Sequence, residues 1–243
     1  MHMYRCALFD IDNTLLIKKP TIAEIVYELA ARENPSLTMD EAEKAYAESE
    51  LWQGQQIQKE NETGVRMADE EYLENVTGIY RRALSLGEEA CQSLTELFGR
   101  DYKKEYQLMP GAKELLGRLQ AEGLSLGIVS NNHSGVRKVL TDMGLEGFFG
   151  CMVISEEVNL YKPDPQILQL ACEKLGTAPG ESVYVGDHPF DVLCAHSAGM
   201  AAAWLPANRF MEIPAFIGPP DYTISSLHEA AGVLLGEAYN CRT

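Results

Sequence analysis

The stretch "ALFDIDNTLL", Ala7 to Leu16, decides how this chain is read. Tyr4 to Phe9 is an apolar run that reads as a buried strand. Asp10 and Asp12 follow it, two residues apart. Were the strand to continue, both carboxylates would point to one side at like-charge repulsion distance. A cation, a reaction or exposure to water in a loop would each relieve that repulsion.

Beyond this strand the period of the pattern changes. Ile22, Ile25, Val26, Leu29 and Ala30 follow helical spacing, and Thr21-x-x-Glu24 has the form of a capping box. A second helix start, Thr38-x-x-Glu41, leads towards Trp52. Apolar stripes at Tyr72–Leu84 and Ala90–Phe98 continue the series. No strand-like alternation is read between about residues 18 and 106, so this region is expected to be a helical bundle.

From Pro110 the texture alternates. A helix through Leu115, Leu116 and Leu119 ends at Gly123, and the strand "LSLGIVS" follows. Next come a helix over His133–Met143, the strand "CMVIS", and a helix entered at Asp164-Pro165 and closed at Gly176. The strand "SVYVGD", a helix over Phe190–Ala198, the strand "MAAAWL", the strand "DYTIS" and a helix entered at Ser226-x-x-Glu229 complete the chain. Alternating strands and helices predict an α/β fold with a Rossmann-like parallel sheet flanked by helices. The first strand belongs to that sheet. The expected domains are therefore an α/β core, residues 1–17 and 107–243, and an inserted helical domain, residues 18–106.

Composition sets the outer bounds. The chain has 243 residues, 46% of them apolar, and a formal charge of −16. Such a surface repels nucleic acid polymers and anionic membranes, while leaving room for a small anionic ligand beside local cations. None of the six cysteines forms a C-x-x-C pair, and they read as reduced core residues. Asp10 comes too early for a hydrophobic leader, and no apolar run has the length of a membrane span. The expected location is cytoplasmic, and the chain is expected to be a monomer or homodimer.

In open α/β sheets ligands bind beyond the carboxyl ends of the strands. The residues there are Asp10 and Asp12, then Ser130-Asn131-Asn132, then Asp187 with Asp191 four residues on; Lys162 lies in the loop before Asp164-Pro165. Taken singly, each has a structural explanation: a solvated loop, a helix cap for Ser130, a surface lysine, a turn acid. Taken together, they crowd several carboxylates around one crevice, and these would repel one another without a counter-charge. A hard cation with oxygen ligands, Mg²⁺ best of all, relieves this, and Mg²⁺ commonly binds substrate phosphate as well. Ser130 and Lys162 would then hold phosphoryl oxygens.

In "DIDNT", Ser130, Lys162 and "GDHPFD", in that order and spacing, the chain resembles the haloacid dehalogenase (HAD) superfamily of aspartate-nucleophile phosphohydrolases. The likeness covers nearly the whole chain. The helical insertion looks like the cap (C1 type) of the subgroup that includes phosphoglycolate phosphatase. The stretches "VISEEVNLYKPD", "ELW" and "YTISSLHE" are similar to pyrimidine 5′-nucleotidase-like members.

The resemblance implies roles. Asp10 would attack phosphorus and form an aspartyl phosphate, and Asp12 would protonate the leaving alcohol and then deprotonate water. Asp10, the carbonyl of Asp12, and Asp187 would bind Mg²⁺, with Asp191 as a ligand or holding a bound water. Ser130, the amide of Asn131 and Lys162 would bind the phosphoryl group, and Thr14 would fix the loop. Such a protein hydrolyses a small phosphorylated metabolite, a nucleoside monophosphate or a sugar or organic acid phosphate, under a cap that selects it. An acid at Asp12 favours phosphate esters, since dehalogenases and phosphonate-cleaving relatives lack it. Alternatives on the same motifs are a phosphotransferase or phosphomutase, and a non-catalytic phospho-ligand-binding module. A receiver domain would carry its acceptor Asp at the end of the third strand, which is read here as ending in Ser155. Lys18, Lys19, Arg66, Trp52, His133 and His188 are read as solvated, packing or loop residues rather than catalytic ones.

Overall fold

A computed structural model describes residues 4–98 and 105–236. In chain order the first elements are β1 (Cys6–Phe9), β2 (Leu16–Lys19), α1 (Ile22–Glu33), α2 (Met39–Thr63), α3 (Asp69–Leu84), α4 (Glu88–Phe98) and β3 (Glu105–Leu108). Then follow α5 (Ala112–Ala121), β4 (Ser125–Ser130), α6 (Val136–Asp142), β5 (Cys151–Ile154), α7 (Ser155–Val158) and α8 (Gln166–Leu175). The series closes with β6 (Ser182–Gly186), α9 (Pro189–Ala198), β7 (Ala201–Trp204), β8 (Tyr222–Thr223) and α10 (Leu227–Leu234). Contacts divide the chain into an α/β unit, Met1–Ile17, Tyr106–Ala207 and Ile213–Thr243, and a helical unit, Lys18–Glu105 and Asn208–Glu212.

The α/β unit is built on a six-stranded sheet in the order β5-β4-β1-β6-β7-β8. Every neighbouring pair in it runs parallel. Helices cover a parallel sheet on both faces, so its strands are apolar throughout rather than alternating. Accordingly Cys6, Ala7, Leu8 and Phe9 are all fully buried, as is every residue of β6. Phe9 lies level with Ile128 and Val185, and Ser130 with Ile154. The Asp10 amide still donates to the carbonyl of Val185, at 2.9 Å. This register brings Asp10, Ser130 and Asp187 out at the carboxyl end of neighbouring strands. The core combines Phe9, Ile11, Leu15, Leu116, Leu119, Ile128 and Val185 with α10 residues such as Leu227 and Leu234.

The helical unit has its own core, in which Val26, Ala45, Val76, Tyr80 and Leu94 meet. Both anticipated capping boxes form. Thr21 and Thr38 accept from the amides of Glu24 and Glu41, whose carboxylates accept in return from the amides of Thr21 and Thr38. The α2 helix continues past Trp52 to Thr63, where Gly64 closes it in a left-handed conformation at φ 70°.

The parallel α/β architecture agrees with the sequence reading, with several local corrections. Two short strands, β2 and β3, pair with each other at the margins of a region read as wholly helical. Four residues are too few for a period of two to stand out. The helix expected from His133 begins only at Val136, because residues 132–134 are held in a loop. Asn132 Oδ1 accepts from the His133 amide at 3.0 Å, and Glu156 from the Ser134 amide at 2.7 Å. Strand β5 ends at Ile154, and Ser155 opens the unexpected short helix α7. Of the cysteines, Cys6, Cys91, Cys151, Cys172 and Cys194 are unbridged, and burial pushes the Cys6 and Cys151 thiols up to about 11. The expectation for Cys241 lies outside the described residues. Among the described residues no helix is long and apolar enough to cross a membrane.

Candidate active site

The loop after β1 is wound tightly. The amides of Thr14, Leu15 and Leu16 all donate to the carbonyl of Ile11, and Asn13 takes a left-handed conformation at φ 54°. Asn tolerates that region better than most residues. The winding turns the chain back immediately after Asp10, so the two acids of the opening stretch are not neighbours on one strand face. Asp10 is buried, while Asp12 is partly exposed and accepts from Asn132 Nδ2 at 3.2 Å. Thr14 is completely buried, and its hydroxyl makes no hydrogen bond.

Lys162 is the hub of the site. Its ammonium is 2.8 Å from Asp191 Oδ1 and 3.0 Å from Asp10 Oδ1, and it donates to the Tyr184 hydroxyl at 2.7 Å. That hydroxyl donates onward to the carbonyl of Val129, at 2.7 Å. Burial alone would lower the lysine pKa, but the carboxylates of Asp10 and Asp191 outweigh it and hold it well above the usual value. The lysine is thus a fixed cation. Its backbone is fixed as well: the Asn131 side chain accepts from the Lys162 amide at 2.8 Å and donates to the Lys162 carbonyl at 2.9 Å.

The acids from β6 and α9 complete the cluster. Asp187 accepts from Asn13 Nδ2 at 3.1 Å, and its carbonyl accepts from Trp204 Nε1 at 2.8 Å. Asp191 sits in the first turn of α9, where its Oδ2 accepts from the His188 amide at 3.1 Å. His188 itself caps that helix, Nδ1 accepting from the Phe190 amide at 3.1 Å. Gly186 permits this packing, because a Cβ there would lie 2.2 Å from Asp191 Oδ2. Ligand atoms of Asp10, Asp187 and Asp191 all lie within 4.8 Å of one another, and all three residues are buried.

This donor set fits a hard divalent cation. Three buried carboxylates face one lysine, and Asp10 Oδ1, although close to Lys162, makes no hydrogen bond. Three buried carboxylates against one ammonium leave an excess of negative charge that a further cation would offset.

The structure therefore brings Asp10, Lys162, Asp187 and Asp191 together, and joins Asp12 to the loop after Ser130 through Asn132. Ser130 is buried at the end of β4. Sequence reading passed over Tyr184 and gave Asn13 and Asn132, which it had noted, no role. A tyrosine inside the apolar run "SVYVG" was the available signal, since a buried phenol needs a partner. Three of the residues read as non-catalytic have partners elsewhere. Lys19 pairs with Glu24 at 2.7 Å, Arg66 with Glu60 at 3.0 Å, and Trp52 packs on Tyr72 with ring centres 5.6 Å apart.

A family model described as haloacid dehalogenase-like hydrolase matches residues 7–205. Phosphoserine phosphatase of Thermus thermophilus is 35% identical over 152 residues, covering 62% of this chain and 59% of that protein. Pyrimidine 5′-nucleotidase YjjG of Escherichia coli is 38% identical over 129 residues, covering 52% of this chain and 56% of that one. The chain thus spans less than two thirds of the length of either relative. The crystal structure of a HAD phosphatase from Thermococcus onnurineus aligns over 96% of this chain and 99% of its own, with 28% identity and a TM-score of 0.56.

Proposed function

Because the chain belongs to the haloacid dehalogenase-like hydrolase family, we propose that it is a phosphatase that hydrolyses a small phosphomonoester through an aspartyl phosphate on Asp10. The observation that carries this reading is the buried cluster of Asp10, Asp187 and Asp191 on Lys162, at the carboxyl ends of β1 and β6. The names of the relatives, phosphoserine phosphatase and pyrimidine 5′-nucleotidase, agree with it.

The roles are those that the family resemblance implies, and the geometry of the buried cluster supports them. Lys162 offsets the repulsion between an anionic nucleophile and a phosphate dianion. An Asp10 oxygen attacks phosphorus as the P–O bond to the substrate alcohol breaks, and Asp12 gives its proton to the departing oxygen. Water then attacks the same phosphorus, Asp12 takes the proton back, and the bond to Asp10 breaks to release phosphate. Partial exposure suits Asp12 to proton exchange, while burial suits Asp10 to attack. Ser130 and the Asn131 amide hold phosphoryl oxygens, and the Asn131 side chain keeps Lys162 in place. Asp10, the Asp12 carbonyl, Asp187 and Asp191 would hold Mg²⁺, with Asp191 held in turn by Lys162 and the His188 amide. The ion would supply charge neutralisation at the phosphoryl group. The helical unit serves in this reading as the cap that selects the substrate.

The test is phosphate release from p-nitrophenyl phosphate and a panel of nucleoside, sugar and organic acid phosphates. It is run with Mg²⁺, with chelator, and with Asp10→Asn. The expected result is turnover that needs the metal and disappears in the variant. Well-folded protein that releases phosphate from none of the esters would overturn the proposal.

A further inference from the structure

Three successive residues at the end of β4 reach three different groups, all within the α/β unit. Ser130 is buried beside the phosphoryl site, and Asn131 holds the Lys162 backbone through two hydrogen bonds. Asn132 Nδ2 donates to Asp12 Oδ2 at 3.2 Å. The first two belong to the site as described; the third touches the acid that would handle the proton.

Asn132 is itself tightly held. Its amide donates to Ser155 Oγ at 3.0 Å, and its carbonyl accepts from the Ser155 hydroxyl at 3.2 Å and the Glu156 amide at 3.3 Å. The register explains these contacts. Ser130 lies level with Ile154, so the chain leaving β4 passes the residues that open α7. Helix α7 grips the same loop further on, where Glu156 accepts from the Ser134 amide at 2.7 Å and Glu157 pairs with Arg137 at 2.6 Å. The side chain of Asn132 is oriented as well. Its Oδ1 accepts from the His133 amide at 3.0 Å, which leaves the NH₂ group turned to Asp12.

Asp12 is partly exposed on the wound loop after β1. The last torsion of an aspartate is broad, so a carboxyl in such a place turns at small cost unless something holds it. Proton transfer needs the opposite, a carboxyl kept within hydrogen-bond reach of the reacting oxygen. We propose that Asn132 is a positioning residue for Asp12: it fixes the rotation of the carboxyl, and α7, through Ser155 and Glu156, fixes Asn132. The inference rests on the phosphatase reading and adds to it the group that aims the proton.

The test varies the leaving group. As the ester P–O bond breaks, the departing oxygen keeps the electron pair and takes the proton of Asp12. 4-Nitrophenolate is a stable anion and needs that proton least; phenolate needs it more, and an alkoxide most. kcat/KM is measured for 4-nitrophenyl phosphate, phenyl phosphate and the best alkyl ester of the panel above. It reports this step and not the later hydrolysis of the aspartyl phosphate, which all esters share. Asn132→Asp keeps an acceptor for the His133 amide and replaces the donor to Asp12. It should lower kcat/KM for the alkyl ester about tenfold more than for 4-nitrophenyl phosphate, since a positioned acid contributes about 10²–10⁴-fold. Asn132→Ala adds no charge and decides the matter should the first variant fail to fold. Ser155→Ala, which removes one anchor of Asn132, should shift the same ratio in the same direction by less. An equal fall for all three esters would mean that Asn132 only supports its loop, and would overturn the inference while leaving the phosphatase reading intact. Unmodified protein inactive on the whole panel marks failure of that reading, and the inference falls with it.

Discussion

At the scale of single residues, Lys162 controls the site. It is almost completely buried between Asp10 and Asp191, with side-chain exposures of 7%, 10% and 5% respectively. A buried ion pair contributes little net stability, but removing one partner strands the other charge at a cost of ~3–5 kcal/mol. Lys162→Met keeps the chain length and removes the charge. The expected outcome is a lower urea midpoint for the α/β unit, read from Trp204 fluorescence in a Trp52→Phe background, together with loss of phosphate release. An unchanged midpoint would mean that Asp10 and Asp191 do not rely on the lysine for their charge. The sequence puts Lys162 in the loop before Asp164-Pro165, but does not show what fixes it there. The answer lies in Tyr184 and Asn131, which hold its two ends, and neither partnership leaves a local signal because both span long sequence distances.

At the scale of elements, local chemistry was the most readable part of the chain. The boxes at Thr21 and Thr38 and the box-like Ser226 cap were visible because caps are short-range. The strands β2 and β3 and the helix α7 were not, since four-residue elements are decided by their partners rather than by their own pattern. The helical unit carries a pH dependence written in the same contacts. Burial would raise Glu60, but hydrogen bonds from Gln56, the Met67 amide and Arg66 outweigh it and lower the pKa below 4.5. Glu41 is lowered by the Thr38 amide and hydroxyl; Glu24 is lowered by Lys19 and Thr21 against the opposing effect of burial. A carboxyl whose folded pKa is depressed contributes stability above its unfolded pKa and loses it as pH falls through the folded value. The helical unit should therefore melt at progressively lower temperature as pH drops below 4.5. Circular dichroism melts across that range check it, and Glu60→Gln should flatten the slope by removing one of the linked protons.

At the scale of the whole molecule, 36 acids stand against 20 lysines and arginines, giving a charge of −16. Self-repulsion of that size weakens any compact state, and any salt eases it by screening. The Asp10, Asp187 and Asp191 cluster makes a sharper demand than the surface does. Its ligand atoms lie within 4.8 Å of one another in a buried place that diffuse counterions do not reach. Mg²⁺ should therefore stabilise the protein beyond the effect of NaCl at equal ionic strength, and chelator should remove only that excess. A ligand that binds only the folded state at a hundred times its Kd adds ~2.7 kcal/mol, which a thermal melt detects easily. Asp187→Asn removes one of the three negative charges and should abolish the excess while leaving the NaCl response intact. If Mg²⁺ and NaCl raise the melting temperature equally in the unmodified protein, the cation is acting on the surface charge and the three acids do not form a metal site.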